Sequence, residues 1–396
     1  MTIRFWRPAP SAALHAADQA VNRVSLTHSP SALRNDIDEE GQGRFGAQAQ
    51  AVRDTAAEPD PLLEVRNLRV SFSAFRGEVK AVQGVSFILN RGETLAIVGE
   101  SGSGKSVTAR SLMRLLPKRT TRQTTGSIRF KGREILTLDA KELRRIRGAE
   151  IGMIFQDALS ALNPTMTIGE QLMEGLLYHK HLSKREARAI AIKMLVRVGI
   201  PQPELRLKQH LHEFSGGMRQ RIMIAMAAVC GPDILIADEP TTALDVTIQA
   251  QIIELFQELQ RELGVAIVLI THDLGVVAKI ADRVNIMYAG QIVESGTVDE
   301  IFYRPQHPYT LGLLASMPRL DQNKDEPLEP IPGSPPDLFA PPAGCPFAAR
   351  CERAMEVCSA YPPQMTPVAD GHQVACWLQD PRSLRAAQPS VKTVIR

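Results

Sequence analysis

The spacing of apolar residues changes along the chain and divides it into stretches with different predicted structure. Residues 1–60 show no sustained periodicity and are rich in Ala, Arg, Ser, Gln and Asp, which predicts a disordered leader or a start codon assigned too far upstream. From position 62 onward, apolar and polar residues alternate. The apolar members of this pattern are Leu63, Val65, Val70, Phe72, Val82, Val85, Phe87 and Leu89. Such alternation predicts strands of a half-exposed antiparallel sheet.

Short uninterrupted apolar runs follow at residues 95–98, 234–237 and 265–270. Runs of this length predict parallel strands that helices bury on both faces. The stretch 157–229 instead has helical spacing. Apolar residues four positions apart in it are Leu172 and Leu176, and then Ile190, Met194 and Val198. We therefore expect an α/β core with an inserted helical subdomain at about 157–229.

Proline changes the character of the chain near its C-terminal end. Eight prolines lie between residues 327 and 346, a density that prevents a regular helix or a central strand. We expect a main domain at 61–312 and a C-terminal extension at 313–396 that wraps along it. The extension carries Cys345, Cys351, Cys358 and Cys376.

Composition narrows the class of protein. The 396 residues are 44% hydrophobic and 22% charged, as in ordinary globular proteins, and the net charge of +3 favours neither nucleic acid nor a membrane surface. Since no run of about 18 apolar residues is present, we expect no membrane span. Pro8, Pro10 and His15 interrupt any secretory signal. Five cysteines do not suggest a disulfide-stapled secreted protein, so we expect the cytosol.

Residues 99–106, here called the phosphate loop, read Gly-Glu-Ser-Gly-Ser-Gly-Lys-Ser. They follow a short apolar run and precede a stretch rich in helix formers, so a helix N-terminus would face bound phosphate. Glycines let backbone N–H groups approach the anion, Lys105 supplies positive charge for the β- and γ-phosphates, and the Ser106 hydroxyl can coordinate Mg²⁺. The expected ATP-binding residues are Gly99, Glu100, Ser101, Gly102, Ser103, Gly104, Lys105 and Ser106.

A second nucleotide motif closes the apolar run at 234–237 with Asp238 and Glu239. Asp238 lies where an acidic residue would hold the Mg²⁺ shell. Glu239 is placed to orient and activate the attacking water, since a general base must lie beside the γ-phosphate without binding the metal directly. Alone, such a pair would more often be a solvated acidic turn. Together with the phosphate loop it predicts ATP hydrolysis.

Between these motifs, Phe-Ser-Gly-Gly-Met-Arg-Gln-Arg at residues 214–221 resembles the signature motif of the ATPase subunits of ABC transporters. Ser215, Gly216 and Gly217 would open a helix whose positive end faces an anion. The resemblance implies that the signature of one subunit closes over ATP held by the phosphate loop of its partner. It also implies the P-loop NTPase fold of an ABC ATPase, an α/β fold with a parallel sheet core, an antiparallel β subdomain and a helical subdomain.

Three further segments of this sequence resemble motifs of the same family, and they occur in the same order along the chain. Gln156 matches the Q-loop glutamine, which senses Mg²⁺ and the γ-phosphate and touches the membrane subunit, and residues 243–245 match the D-loop at the dimer interface. His272, after a buried strand, matches the switch histidine. The implied Mg²⁺ ligands are Ser106, Gln156 and Asp238. Phe75 is the candidate for the aromatic that stacks on adenine, although an aromatic there could equally belong to the core.

Narrower features resemble the oligopeptide and dipeptide importer ATPases, and the resemblance spans about residues 62–377. These features are the segments 162–164, 213–221 and 304–310 and the Pro- and Cys-rich tail. The implied function is the ATP-hydrolysing subunit of a peptide importer, peripheral on the cytoplasmic face of a bacterial inner membrane. The implied partners are a second related ATPase or another copy of the chain, two membrane permeases and an extracytoplasmic solute-binding protein, with no nucleic acid.

Three alternative functions compete with this one. A soluble ABC ATPase acting on DNA or ribosomes would typically carry long coiled-coil insertions or two tandem ATPase domains, and the sequence has neither. The His-Pro-Tyr segment and the lack of fused membrane helices argue against an exporter ATPase. An importer of another cargo, such as nickel or a sugar oligomer, stays open because the ATPase subunit of this family never touches the cargo.

The four tail cysteines are spaced C-x5-C, C-x6-C and C-x17-C, unlike the C-x2-C pairs of a zinc ribbon. In the resembling importer group such a tail is associated with a [4Fe–4S] cluster, so the ligands would be Cys345, Cys351, Cys358 and Cys376. The alternative is four reduced thiols in a loop-rich tail. Cys230 follows a helical Met/Ala run and is expected to be a small core residue.

Overall fold

The structure is a computed structural model of the whole chain, and it describes residues 60–75, 77–242, 244–317 and 330–386. Residues 1–59 of the expected leader lie outside these ranges. The described part forms two sheets with helices packed around them. None of the described helices is long and apolar enough to cross a membrane.

The elements are numbered along the described chain. The strands are β1 (Leu63–Ala74), β2 (Gly77–Leu89), β3 (Thr94–Val98), β4 (Thr121–Phe130), β5 (Arg133–Glu134), β6 (Ile151–Ile154), β7 (Ile234–Asp238), β8 (Ala266–Thr271), β9 (Arg283–Tyr288), β10 (Gln291–Thr297), β11 (Thr366–Ala369) and β12 (His372–Val374). The helices are α1 (Lys105–Leu112), α2 (Ala140–Ile146), α3 (Ala158–Ala161), α4 (Ile168–His179), α5 (Lys184–Arg197), α6 (Pro203–Arg206), α7 (Gly216–Ala228), α8 (Val246–Leu263), α9 (Leu274–Ile280), α10 (Val298–Tyr303), α11 (Pro308–Ala315), α12 (Glu356–Ala360) and α13 (Pro381–Ala386).

The smaller sheet is antiparallel, with the strand order β2-β1-β4-β5. The register of β1 against β2 shifts between Val65, which pairs with Phe87, and Leu68, which pairs with Val85. This bulge lets Val65 and Leu68 both face the core although they are three positions apart. Asn67 lies within it at a φ of 47°. The antiparallel sheet predicted from the alternation is therefore present, with one irregularity that the alternation did not place.

The larger sheet has the order β11-β12-β10-β9-β3-β8-β7-β6, and its central strands β9, β3, β8, β7 and β6 run parallel. Every residue of β3, β7 and β8 is buried, as the uninterrupted apolar runs predicted. Val98 pairs with Thr271 and Asp238 with Ile270. Because parallel strands share one carboxyl edge, the segments that follow β3, β7 and β8 meet at that edge.

The stretch 157–229 contains helices α3 to α7. Their apolar residues form one core in which Leu172, Leu176, Met194 and Val198 are buried and Ile190 is half-buried. Capping boxes open two of the helices. Thr167 and Glu170 cap α4, and Ser183 and Glu186 cap α5, in each case by exchanging side-chain and backbone hydrogen bonds.

The C-terminal extension takes part in the large sheet. Strand β12 pairs antiparallel with β10, joining Val374 to Glu294, and β11 pairs with β12. The expectation of an extension that wraps along the domain did not include these edge strands. Residues 330–346 contain neither helix nor strand, as their proline content predicted. Tyr309, Phe347 and Trp377 bury the extension in a core shared with β9 and β10.

Candidate nucleotide-binding site

A cavity of about 450 Å³ lies at the carboxyl edge of the parallel strands. It is lined by Ala81, Ser101, Gly102, Gly104, Lys105, Ser106, Val107, Gln156, Glu239 and His272. Residues predicted from the phosphate loop, the Q-loop, the acidic pair (Glu239) and the switch position therefore meet in one place, although Ser101 and His272 are 171 positions apart. The volume is in the range of cavities that hold small-molecule ligands.

The phosphate loop leads from β3 into α1. Gly104 precedes the helix at a φ of 100°, and a Cβ there would collide with the carbonyl oxygen of Ala81. Lys105 Nζ donates to the carbonyl oxygens of Gly99 at 2.7 Å and Glu100 at 2.9 Å. Burial lowers the pKa of Lys105, and the negative charges of nearby carboxylates oppose the shift. The loop thus presents a helix N-terminus and a buried amine to an anion.

Asp238 and Ser106 form the part of the site suited to a hard cation. Ser106 Oγ donates to Asp238 Oδ1 at 2.7 Å. Asp238 is fully buried, and its Oδ2 has no hydrogen-bond partner among the described residues, although the Arg110 guanidinium lies 3.6 Å away. Burial raises the pKa of Asp238, partly opposed by the Ser106 hydrogen bond. An orphaned buried carboxylate oxygen beside a hydroxyl fits Mg²⁺, which prefers oxygen ligands.

Glu239 follows β7 in the left-handed region at a φ of 49°. Its carboxylate accepts hydrogen bonds from Gln156 Nε2 at 2.9 Å and Thr242 Oγ1 at 3.0 Å. His272 Nδ1 lies 3.4 Å from the other carboxylate oxygen. Strained backbone of this kind persists where the surroundings hold it and is common at functional sites. The geometry brings Gln156, Glu239 and His272 together at the mouth of the phosphate loop.

The signature residues Ser215, Gly216 and Gly217 do not line this cavity. Ser215 caps α7 by accepting a hydrogen bond from the Met218 N–H, and Ser215 and Gly216 are exposed. The predicted D-loop lies nearby in sequence. Asp245 caps α8, whereas Ala243 lies outside the described residues. The chain therefore presents the signature to its surroundings rather than to its own phosphate loop.

Phe75 lies at the turn between β1 and β2, and its side chain is fully exposed. It does not line the cavity, where Ala81 and Val107 supply the apolar contacts. Phe75, the aromatic residue expected to stack on adenine, therefore does not lie with the predicted phosphate-binding residues in this structure.

Comparison with known proteins decides the family. The profile described as "ABC transporter" matches residues 82–242, and that described as "Oligopeptide/dipeptide transporter, C-terminal region" matches residues 293–358. The dipeptide transport ATP-binding protein DppD of Bacillus subtilis is 62% identical over 327 residues, which cover 83% of this chain and 97% of that protein. The oligopeptide transport ATP-binding protein OppD of Salmonella typhimurium is 54% identical over 316 residues, covering 80% and 93%.

The chain belongs to the ATP-binding subunits of the oligopeptide and dipeptide ABC transporters. The expected fold is confirmed as well. The ATP-binding cassette MJ0796, solved as a dimer in a post-hydrolysis state with ADP and Pi, matches with a TM-score of 0.54 at 27% identity, covering 60% of this chain and 98% of that one. Members of the family hydrolyse ATP with Mg²⁺ to drive transport, so this transporter ATPase is an enzyme.

The structure adds two contacts to the phosphate loop of this transporter ATPase that the sequence motifs do not indicate. Arg350, in the extension, donates to Glu100 Oε2 at 2.9 Å, and the Tyr309 hydroxyl accepts from the Glu100 N–H at 2.9 Å. The motif places Glu100 in the loop but indicates no partner for its side chain. The partners lie 250 and 209 positions away, and no local pattern joins them.

The extension carries the four tail cysteines, two of which are joined by a hydrogen bond from the Cys345 N–H to the Cys358 carbonyl oxygen at 2.7 Å. Cys345, Cys358 and Cys376 are buried and Cys351 is half-buried. The pKa of Cys345 is raised to about 11, first by burial and then by the charges of the other three thiols. Among the described residues, no group of three or more His, Cys, Asp or Glu is placed to hold a single metal ion. Cys230 is buried in the helical core, and a Cβ at Gly175 would lie 3.2 Å from its Sγ.

Proposed function

We propose that this chain energises the import of peptides across the bacterial inner membrane, by hydrolysing ATP bound between two ATPase subunits. The observation that carries the proposal is the division of the nucleotide machinery. The phosphate loop, Gln156, Glu239 and His272 line one cavity, and Asp238 lies behind it, hydrogen-bonded to Ser106. The exposed signature at Ser215 lies outside the cavity. A partner subunit is therefore required to complete each site. The similarity to dipeptide and oligopeptide transport proteins supports peptide as the cargo.

In this proposal the cavity residues divide the work. Backbone N–H groups of residues 99–106 and the Lys105 amine bind the phosphates. Ser106 and Asp238, with Gln156, would hold Mg²⁺, which neutralises phosphate charge when bound. Glu239 orients the attacking water and accepts its proton. His272 and Gln156 hold the Glu239 carboxylate in place, and Ser215, Gly216 and Gly217 cover the ATP of the partner. Phe75 would stack on the adenine ring, since its exposed side chain is free of packing contacts with the core.

The proposed assembly contains a second related ATPase or another copy of this chain, two membrane permeases and an extracytoplasmic solute-binding protein, with no nucleic acid. It places the chain on the cytoplasmic face of the inner membrane. Leu159 supports a protein contact near the Q-loop, since it is 57% exposed in α3, close after Gln156. Residues 61–312 would act as the ATPase domain, with the helical subdomain at 157–229 transmitting closure, and 313–396 as the extension.

The proposal also includes a [4Fe–4S] cluster on Cys345, Cys351, Cys358 and Cys376. The support is the proximity of the other three thiols to Cys345, whose pKa each of them raises, and the burial of all but Cys351. A cluster of several irons keeps its thiolates further apart than a single ion does, so such a group need not resemble a single-ion site. Iron would compensate the thiolate charge that burial disfavours.

The test is a pull-down of the tagged full-length chain from detergent-solubilised native membranes, with its companions identified by mass spectrometry. Recovery of two multi-span permeases and a second ATPase is expected, together with a peptide-type solute-binding protein. Recovery of a solute-binding protein for nickel or sugars would overturn peptide as the cargo but would support the transport function. Recovery of ribosomal or DNA-repair proteins, with the chain absent from membranes, would overturn the proposal.

A further inference from the structure

Arg350 connects the C-terminal extension directly to the phosphate loop. Its Nη1 donates to Glu100 Oε2 at 2.9 Å and to the Tyr288 hydroxyl at 3.2 Å. The Arg350 side chain is 6% exposed and that of Glu100 is 26% exposed, so water screens this ion pair little. Arg350 immediately precedes Cys351 in the chain. Residues 345–358, here called the three-cysteine segment because they include Cys345, Cys351 and Cys358, thereby contribute a charge to the nucleotide site.

The guanidinium is held firmly on the side of the extension. Arg350 Nε donates to the Pro332 carbonyl at 2.8 Å, and Nη2 donates to the Ile331 carbonyl at 3.1 Å. The group also lies over the rings of Tyr288 at 5.8 Å and Phe347 at 5.9 Å. A planar fork that is fixed by two carbonyls and two rings has one orientation toward its carboxylate. The position of Arg350 therefore depends on the fold of the extension around it.

Glu100 is equally tied to the phosphate-binding groups. Its carbonyl oxygen accepts from Lys105 Nζ at 2.9 Å, and its N–H donates to the buried Tyr309 hydroxyl. Its carboxylate is a negative charge within a loop that must bind a polyanion. Such a charge repels phosphate unless a cation lies beside it, and in a partly buried site the repulsion is weakly screened. Arg350 is the cation that the structure places there.

We propose that Arg350 is a positioning residue for ATP binding: it neutralises Glu100 and fixes the phosphate loop, so that nucleotide affinity depends on the fold of the three-cysteine segment. The inference rests on the proposed role of the phosphate loop. Energetic coupling between two sites is reciprocal. Nucleotide bound at the phosphate loop therefore stabilises the three-cysteine segment in return.

The experiment measures the affinity of the full-length chain for a non-hydrolysable ATP analogue with Mg²⁺, together with hydrogen exchange of residues 345–358 with and without that analogue. The variants are Arg350→Ala, Glu100→Gln, the double variant and Lys105→Ala. Arg353→Ala is the matched control, since Arg353 is an exposed arginine three positions further along the same segment.

Arg350→Ala is expected to weaken binding about tenfold, within the usual range of site-to-site coupling. It is also expected to abolish the slowing of exchange that the nucleotide causes at residues 345–358. Arg353→Ala is expected to change neither quantity. The double variant is expected to regain most of the affinity, because Glu100→Gln removes the charge that Arg350 neutralises. Loss of packing alone would not be rescued by a change in the phosphate loop.

The outcomes separate this inference from the proposed function. If Lys105→Ala binds the analogue like the parent chain, the phosphate-loop assignment is wrong. If Lys105→Ala fails to bind and Arg350→Ala binds normally, only the role of Arg350 is overturned. Weak binding that Glu100→Gln does not rescue also overturns it. If Arg350→Ala does not fold, Glu100→Gln alone serves as the test, and unchanged exchange at 345–358 in that variant overturns the coupling.

Discussion

The side-chain amide of Gln156 donates a hydrogen bond to Glu239 at 2.9 Å, although the two residues are 83 positions apart. Thr242 donates to the same carboxylate oxygen at 3.0 Å, and His272 Nδ1 lies 3.4 Å from the other. Three elements of the chain thus hold one carboxylate at the mouth of the phosphate loop. This arrangement suits a base whose orientation toward a water molecule must be maintained.

Replacing Glu239 by Gln is expected to abolish turnover and keep ATP binding. The amide has the size of the carboxylate but cannot accept a proton, so phosphate release is expected to fall about 10²- to 10⁴-fold. ATP is then expected to trap a closed dimer, measured by size-exclusion chromatography with light scattering. Glu254→Gln, on the exposed face of α8, is the control and should hydrolyse normally. Hydrolysis at the parent rate by Glu239→Gln would contradict its assignment as the base.

Replacing Asp238 by Asn is expected to separate activity from stability. The Asn amide oxygen can still accept the Ser106 hydrogen bond, but it carries no negative charge. The Mg²⁺ concentration for half-maximal hydrolysis is therefore expected to rise at least about tenfold, because mutating even a residue that only supports a metal ligand lowers metal affinity by about that factor. Because burial raises the pKa of Asp238, its charged form is disfavoured in the folded state. The free energy of unfolding in urea is therefore expected to stay equal or rise. A variant that is both less stable and unchanged in Mg²⁺ dependence would refute this role.

Local sequence was sufficient to predict those parts of the site that directly follow a single buried strand. The runs that become β3, β7 and β8 are solidly apolar, and the parallel register brings Val98, Asp238 and Thr271 to one edge. Once that sheet is inferred, the phosphate loop, Glu239 and His272 must converge. The motifs and the hydrophobic pattern therefore agree because both depend on the same parallel strands.

The sequence could not predict contacts that depend on the path of the extension. Strand β12 has three residues, too few for a periodic signal, and its pairing with β10 was missed. The ion pair between Arg350 and Glu100 depends on how Tyr288, Tyr309 and Phe347 pack beneath it. Such packing is decided by tertiary contacts between distant segments, which neither propensity nor spacing records.

His307 is expected to make stability depend on pH. It is fully buried, its Nδ1 accepts from the Tyr309 N–H at 3.0 Å, and burial lowers its pKa to about 3. In the unfolded chain its pKa is about 6.5. The unfolded state therefore binds a proton between pH 6.5 and 3 that the folded state does not. The stability from this residue is complete above pH 6.5 and falls toward pH 3, by about 1.4 kcal/mol per pH unit.

The measurement is the free energy of unfolding in urea between pH 8 and pH 5, compared with His307→Asn. Asn can cap α11 in place of the imidazole but does not titrate. Its pH slope below 6.5 is expected to be smaller than that of the parent chain by nearly the full contribution of one proton. A constant difference in stability at every pH would show that His307 contributes packing and capping without linked protonation.

The four tail cysteines yield the prediction that separates a cluster from free thiols. Anaerobically purified chain is expected to be brown, with about four irons per molecule. Cys351→Ser is expected to remove the colour and the iron, because Cys351 is one of the four thiols that the fold gathers. Cys230→Ala is the matched control, since this fifth cysteine is buried in the helical core and should leave both unchanged.

Colourless, iron-free protein from anaerobic cells would instead favour four reduced thiols. Burial raises the pKa of Cys345 and Cys376 to about 11, so without a metal both would be protonated at pH 8 and slow to react with iodoacetamide. The reduced chain would then show slow alkylation at these two positions before denaturation and rapid alkylation after it. Because ligation by iron also blocks alkylation, the iron content decides between the two states, and the alkylation rates of the iron-free form test the burial of the thiols independently.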